Sequence, residues 1–368
     1  MQTAEETARS ADVSLPSTMR AAVYRGVNDV RVEEVEVPEI GAGELLVKIA
    51  VCGVCGTDLK KIHTGSHSAP RVFGHEMSGT VVRVGEGVRK FSVGDRVMVF
   101  HHIPCGSCYY CRKKTYAQCP QYKKVGATAG FEPSGGGFAE YIRVMDWIAQ
   151  RGVLKIPEHV SFEQAAFIEP VNTCLKAIKL LNLQADETVL VIGQGPIGII
   201  LGALASDSGA TIVGSDLYPQ RLELAREFGV QHAIDASRQD VGERIRSLTH
   251  GRGADVVLVA VAGKNLIRSA MDACRPGGKV MLFASTQHEE ATFDPGAVCL
   301  DEKTLMGSYS ASVDIQDETA ELVFSGKWDF SKLISHRFPL SKAVEAIELA
   351  SNPQPHSMKI FIGGSAQS

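Results

Sequence analysis

The sequence lacks any strong imbalance of charge. Its 38 Lys and Arg stand against 42 Asp and Glu, a formal net charge of −4 at pH 7. That balance excludes an electrostatic reason for binding nucleic acid or an anionic membrane surface. Long hydrophobic runs are missing too. No apolar stretch reaches the roughly 18 residues of a membrane-spanning helix, and no secretory leader is expected. Internal repeats and low-complexity tracts are also absent, which excludes a solenoid or a fibrous array. What remains is a chain of 368 residues, 44% hydrophobic and 22% charged. Those values are ordinary for a globular protein, and the length allows two domains with separate cores.

Cysteine is not scarce: nine are present. Four of them, Cys105, Cys108, Cys111 and Cys119, lie within one short stretch at spacings of two, two and seven intervening residues. A soft divalent ion held tetrahedrally needs four such ligands, and zinc is the usual occupant. An iron–sulfur run would also end in Cys-Pro, as Cys119-Pro120 does, but its last spacing is shorter. Four thiolates leave no open position for a substrate, so this zinc is structural and the chemistry lies elsewhere. A thiolate site suits a reducing compartment, and a cytoplasmic protein is expected. Cys52, Cys174, Cys274 and Cys299 fall in apolar or helical windows and read as structural residues.

Taken in order, residues 1–18 are small and polar with no hydrophobic period, and a disordered extension is expected there. From Met19 to about Pro157, short β-patterned runs such as Arg20–Tyr24, Val30–Val35 and Leu45–Val51 alternate with Gly and Pro. That is the texture of a β-rich domain full of turns. The texture changes near Ser161. Phe162–Asn182 has helical spacing with an interruption expected at Pro170, and Thr188–Ile192 is a continuous apolar run. Strands and helices then alternate through Thr211–Ser215, Arg221–Phe228, Val256–Ala260 and Lys279–Phe283. Such alternation predicts a doubly wound parallel sheet, so the fold class is α/β. Helical windows at Asp317–Ser325 and Lys342–Ala350 precede a final strand, Met358–Ile362. The expected division is 19–170 with 310–368 as one domain, carrying a cysteine lobe at about 101–125, and 171–309 as the other.

Gly193-Gln-Gly195-Pro196-Ile197-Gly198 follows the buried strand at once and opens a helix. The glycines permit a tight turn and close approach of the backbone to a pyrophosphate, which the helix N-terminus attracts. Asp216 ends the next strand, where a carboxylate accepts hydrogen bonds from an adenosine ribose and repels a 2′-phosphate. NAD is therefore favoured over NADP. Arg221, five residues on, is placed to lie over the adenine or reach a phosphate.

A second set of donors is Cys55, His75 and Glu76 or Glu169. Three protein ligands with one open position is the pattern of a catalytic zinc. Glu169 stands just before Pro170, where the texture changes and a cleft would lie. The residues alone do not decide between the two carboxylates.

Together these motifs resemble the zinc-dependent medium-chain dehydrogenases/reductases, in the style of the threonine and sorbitol (polyol) dehydrogenase branch. The resemblance spans about Met19 to Gly363. It rests on Cys-Gly-Thr-Asp at 55–58, Gly-His-Glu at 74–76, Val-Gly-Asp-Arg-Val at 93–97, the cysteine lobe, Gly-Gly-Phe-Ala-Glu-Tyr at 136–141, Glu169-Pro170 and the glycine turn. It implies a GroES-like catalytic domain, a Rossmann coenzyme domain and two zinc ions per chain. Cys55, His75 and Glu76 would hold the catalytic ion, with Glu169 as a direct or water-bridged ligand. Thr57 would pass on the substrate proton. Ile197, Asp216 and Arg221 would contact NAD, with Phe283, Ala284, Ser285, Ser308 and Tyr309 toward the nicotinamide. Many relatives carry a relay histidine where this chain has Lys60, and a histidine appears at His63 instead. Either His63, water or a substrate-contacting Lys60 fits that departure.

The implied reaction is reversible hydride transfer between NAD and a secondary alcohol: a polyol, sugar alcohol, cyclitol or hydroxy-amino acid. Two readings compete: an NADPH-dependent reductase of activated double bonds, and a non-catalytic protein that binds zinc and NAD. The ligand set and Thr57 argue against both. The loops Ile62–Arg71, Thr128–Ser134 and Ser308–Val313 are expected to line the substrate. A homodimer or homotetramer is expected, with a strand near Val298–Met306 available for pairing.

Overall fold

The computed structural model describes residues 15–263, 265–284 and 290–363. Most of the expected N-terminal extension, residues 1–14, lies outside them, and Thr18 already opens the first strand.

The parallel sheet has six strands in the order His232–Asp235, Thr211–Asp216, Thr188–Ile192, Ala254–Val259, Cys274–Leu282 and Thr304–Gly307. All neighbouring pairs run parallel. Thr188–Ile192 reads Thr-Val-Leu-Val-Ile because helices cover both faces of such a sheet and leave no solvent side. The strand order reverses beside Thr188–Ile192, so the glycine turn that follows it sits at the topological switch point, where open α/β sheets bind ligands. The helix Pro196–Ser206 is apolar nearly all round, since it is buried along its length. Pro196 starts it without loss, because the first helical N–H has no partner to make.

A second sheet of eight strands is mostly antiparallel. Its spine runs Ile334–Pro339, Lys359–Gly363, Leu45–Gly53, Glu76–Val84, Arg96–Val99 and Val153–Lys155, with Tyr141–Val144 added beside Leu45–Gly53. The C-terminal strand Lys359–Gly363 thus pairs with an N-terminal one, Leu45–Gly53. A small sheet of Asp29–Glu36, Thr18–Gly26 and Arg71–Val72 completes the β-rich part.

The two large sheets share a core. One hydrophobic cluster joins Met98 and Phe100 of the antiparallel part to Phe167, Val171 and Leu175, and on to Val189 and Val191 of the parallel sheet. The helices Phe162–Ala166 and Ile168–Leu181 are the wedge between them. The break between these helices falls at Phe167 rather than at Pro170. Proline is the third residue of the second helix, within the first turn, where its missing N–H breaks no intrahelical bond.

One short helix, Gly56–Thr64, was not legible in the sequence. Gly56, Thr57 and Asp58 are poor helix formers. Asp58 compensates by accepting a hydrogen bond from the backbone N–H of Cys55, the N-cap, at 3.3 Å.

Candidate active site

Asp58 organises the first donor set. Its side chain is fully buried. One oxygen takes the Cys55 N–H; the other accepts from Gly74 N at 3.3 Å and meets His75 Nδ1 at 3.0 Å. A single carboxylate therefore places both Cys55 and His75, and by occupying Nδ1 it leaves Nε2 free to ligate. Gly74 has φ +95°, and a Cβ there would lie 2.7 Å from the Phe138 ring. Only glycine lets the chain turn so tightly into His75 and Glu76. The ligating atoms of Cys55, His75 and Glu76 all lie within 4.8 Å of one another. A thiol, an imidazole and a carboxylate at that spacing fit one divalent ion with a position to spare.

Lys359 reaches the same point from the C-terminal strand. Its ammonium is buried, forms an ion pair with Glu76 and donates to the Val54 carbonyl at 3.1 Å. Burial works against its charge, but Glu76 and Cys55 outweigh it and raise its pKa. For His75 burial again opposes the charge, and Asp58 with Cys55 lifts the pKa well above the ordinary value of 6.5. A metal entering here must displace that proton. Glu169, at the head of the Ile168–Leu181 helix, is not among the three converging groups. Burial first, with Glu76 and Asp58 adding, pushes its carboxyl up to about 7 against the pull of His75 and Lys359.

The helix Gly56–Thr64 carries the three relay candidates. Thr57 is in its first turn and Lys60 lies three residues on, on the same face. His63 is exposed, and both its ring nitrogens are engaged: Nδ1 by Asn28 Oδ1 at 2.6 Å and Nε2 by Ser351 Oγ at 2.9 Å. It clasps the hairpin and a C-terminal helix, and the structure does not bring it to the donors.

The cysteine lobe is compact. All four thiols lie within 4.8 Å of one another, with Cys105 and Cys111 sulfurs 3.9 Å apart and Cys108 and Cys111 sulfurs 3.5 Å apart. A zinc tetrahedron with Zn–S near 2.3 Å has edges of about 3.8 Å, so the cradle fits the ion. Backbone N–H groups of Cys105 and Cys108 donate to the Cys119 and Cys105 sulfurs, both at 3.4 Å. Hydrogen bonds from Ser107 lower the Cys105 thiol to about 5, whereas burial pushes Cys111 up to about 12. Four thiolates together need a cation.

Between the two donor sets runs a stack of rings absent from the sequence reading. His75 and His101 centroids are 4.8 Å apart, His101 and His102 3.8 Å, and His102 and Tyr122 4.7 Å. Burial and neighbouring charges keep both added histidines neutral: His101 falls well below 6.5, and His102 to about 3. Their signal was the adjacent pair just before Pro104-Cys105, which matched no ligand spacing.

At the coenzyme turn, Gly193 has φ +91° and Gly195 faces open space, while a Cβ on Gly198 would collide with the Gly193 carbonyl oxygen. The turn is a cradle that side chains would fill, as a pyrophosphate site requires. Pro196 and Ile197 begin the helix behind it. Asp216 staples the turn, accepting from Gln194 N at 2.7 Å and Tyr218 N at 2.9 Å. Arg221 stacks on Tyr218 and donates to the Ser357 carbonyl at 3.0 Å, which ties it to the C-terminal segment. Phe283 and Ala284 follow one strand and bond to Val259 O; Ser308 and Tyr309 follow the neighbouring edge strand. These four residues and the glycine turn share the carboxyl end of the sheet. Ser285 lies outside the described residues.

One helix touches both regions. Ile168–Leu181 presents Glu169 to the His75–Glu76 group, and its Cys174 sulfur meets the Ile197 carbonyl of the coenzyme turn at 4.0 Å. An open groove of about 1130 Å³, lined by Leu15, Glu36, Arg83, Phe131 and Arg143 among others, holds none of these donors. Among the described residues no helix is long and apolar enough to cross a membrane.

Family models agree with this geometry. The alcohol dehydrogenase GroES-like domain matches residues 41–158, and the zinc-binding dehydrogenase model matches 196–325. Sorbitol dehydrogenase of Bacillus subtilis (strain 168) is 30% identical over 355 residues, covering 95% of this chain and 98% of that protein. D-xylulose reductase of Saccharomyces cerevisiae is 31% identical over 362 residues, covering 95% and 98%. Among solved structures, a zinc-binding dehydrogenase from Sinorhizobium meliloti 1021 bound to NADP superimposes with a TM-score of 0.85 at 30% identity, covering 95% of this chain and all of that one. The chain belongs to the zinc-dependent medium-chain alcohol dehydrogenase family, a GroES-like domain joined to a Rossmann domain in an oxidoreductase that uses zinc and a nicotinamide coenzyme.

Proposed function

We propose that this enzyme oxidises a secondary alcohol carrying a neighbouring hydroxyl or amino group, reversibly to the ketone, with NAD as acceptor. The observation that carries the reading is the Ile168–Leu181 helix, whose Glu169 lies within the charge influence of His75 and Glu76 and whose Cys174 meets the Ile197 carbonyl of the coenzyme turn. Zinc and the nicotinamide, when bound, supply Lewis-acid polarisation of the substrate hydroxyl and acceptance of its hydride. The chain's own residues do the rest. Cys55, His75 and Glu76 would hold the ion, Asp58 fixes the imidazole, and Lys359 balances the charge of Glu76. Thr57, in the same helical turn as Asp58, takes the substrate proton, and Lys60 stands on that face to contact a polar substituent. Glu169, whose carboxyl burial lifts to about 7, would stand beside the ion, and it or Glu76 would give way to water or substrate.

The relatives named sorbitol dehydrogenase, D-xylulose reductase, (R,R)-butanediol dehydrogenase and L-threonine 3-dehydrogenase are each named for a compound in which the reacting carbon neighbours a second polar group, which supports that substrate class. Asp216, buried at the carboxyl end of the Thr211–Asp216 strand, supports NAD over NADP. The edge strand Thr304–Gly307, with Val298 and Leu300 exposed nearby, supports pairing of two copies of this chain. The thiolate-rich lobe supports a reducing, cytoplasmic setting.

The test is a panel of vicinal diols, sugar alcohols, cyclitols and hydroxy-amino acids with NAD or NADP, read as reduced coenzyme formed. NAD-linked oxidation of at least one class is expected. Activity confined to NADPH-driven reduction of activated double bonds would overturn the reading.

A further inference from the structure

The segment after the last parallel strand, Ser308–Ser312, is held from two sides. From the cysteine lobe, the Tyr122 hydroxyl lies 2.7 Å from Ser310 Oγ and donates to the Ala311 carbonyl at 3.2 Å. The Lys123 ammonium sits 5.2 Å over the Tyr309 ring. From the Ile168–Leu181 helix, Lys176 donates to the Tyr309 carbonyl at 2.7 Å, and Asn172 Oδ1 accepts from Ser312 N at 2.7 Å. Ser310 has φ +64°, a conformation a serine adopts only when its surroundings hold it. Within the same segment the Ser308 hydroxyl is buried and makes no hydrogen bond among the described residues.

Tyr122 is the joint of this arrangement. It is buried, lies three residues after Cys119, packs within the cysteine cluster and stacks on His102. Its ring is fixed by the lobe and its hydroxyl by the segment, so a shift of one moves the other. We infer that Tyr122 is a positioning residue for the nicotinamide end of the coenzyme, which places that end under the control of the cysteine lobe. The inference rests on the proposed seat of the nicotinamide beside Ser308. The Tyr122 hydroxyl holds Ser310 and Ala311, these hold Ser308 and Tyr309, and the closed lobe holds Tyr122. The four-thiol cluster then has a second role besides stability: it stiffens one wall of the coenzyme site.

The experiment uses the zinc-loaded enzyme and the variants Tyr122→Phe, Ser310→Ala, both together, and Ser308→Val. NADH affinity is read by its fluorescence and ADP-ribose affinity by calorimetry, with zinc counted in each variant. Tyr122→Phe is expected to keep two zinc ions per chain and to weaken NADH about three- to tenfold, the part of its two lost hydrogen bonds that reaches the nicotinamide seat. ADP-ribose, which lacks the nicotinamide, is expected to bind as before. The double variant is expected to lose no more than Tyr122→Phe alone, because that change already removes the bonds to both Ser310 and Ala311, and Ser310→Ala is expected to lose less. KM for NAD should rise by the same factor, with kcat changed less. Equal weakening of NADH and ADP-ribose, or unchanged NADH binding in Tyr122→Phe, overturns the inference. Ser310→Ala lies outside the lobe and keeps the test valid if Tyr122→Phe loses zinc. If Ser308→Val weakens NADH while Tyr122→Phe does not, the nicotinamide seat stands and the coupling alone fails. If neither changes NADH binding, the seat itself is wrong.

Discussion

Lys359→Met isolates the charge balance on which the Cys55–His75–Glu76 donor set depends. The substitution keeps the length of the side chain and removes its charge. In the native protein Lys359 is 7% exposed and its partner Glu76 1%. Without the ammonium and without a metal, Glu76 is a buried carboxylate with no counter-charge, a situation that costs about 3–5 kcal/mol. With zinc bound, the ion supplies the counter-charge. The loss then falls to the hydrogen bond from Lys359 to Val54, on the order of 1 kcal/mol. The assay is urea unfolding of wild type and variant, each as purified and after chelation. Both metal sites are stripped by chelation in both proteins, so the double difference cancels the lobe. The expected double difference is about 2–4 kcal/mol, with the chelated variant the least stable. Equal destabilisation with and without metal would show that Lys359 acts by packing and would refute the charge argument.

Three further outcomes follow from the geometry. Asp58→Asn should leave the fold intact but cost roughly 10–100-fold in zinc affinity at the Cys55–His75 site, read by competition with a chromophoric chelator, because the anion that orients His75 is lost. Gly198→Ala should abolish NADH binding by calorimetry while leaving the zinc count at wild-type level, since its Cβ meets the Gly193 carbonyl in the coenzyme turn. Glu44 carries a pH dependence. Burial opposes its ionisation, but Arg143, at 2.8 and 2.7 Å, and Gly41 N hold its carboxyl below the ordinary 4.5. A lowered folded value means that the native state binds this proton less readily than the unfolded one. The contribution is therefore complete above about pH 4.5 and is lost as pH falls through the folded value. Urea midpoints of wild type and Glu44→Gln should converge as the pH drops below that window.

The parts of this enzyme legible in its sequence are those whose chemistry depends on close spacing. The four thiols of the lobe and the glycine turn are each written within a short stretch. The parallel sheet was legible too, because Thr188–Ile192 and its neighbours must be apolar on both faces. The residues that tune the catalytic donors were not. Lys359 reaches Glu76 only because the C-terminal strand pairs with Leu45–Gly53, and nothing near Lys359 in the chain signals a counter-ion. Asp58 stood inside a quoted motif, but its grip on both Cys55 and His75 needs the turn at Gly74. His101, His102 and Tyr122 are ordinary residues until their rings stack. His63 offered the right chemistry in the right helix, and the hairpin residue Asn28 with Ser351 engages both its nitrogens. Arg221 likewise is drawn to Ser357 by a segment far along the chain.

The central proposal is that hydride transfer runs at an ion held by Cys55, His75 and Glu76, and that the lobe ion takes no direct part in the chemistry. Turnover and zinc content of purified Cys55→Ser, measured on one preparation with the best substrate from the alcohol panel, test it most directly. The account predicts one zinc per chain in place of two, unchanged ADP-ribose binding and a fall in turnover of about a thousandfold or more, the scale of losing a metal's several kcal/mol of charge stabilisation. Near-normal turnover in a variant that retains only the lobe zinc would contradict it.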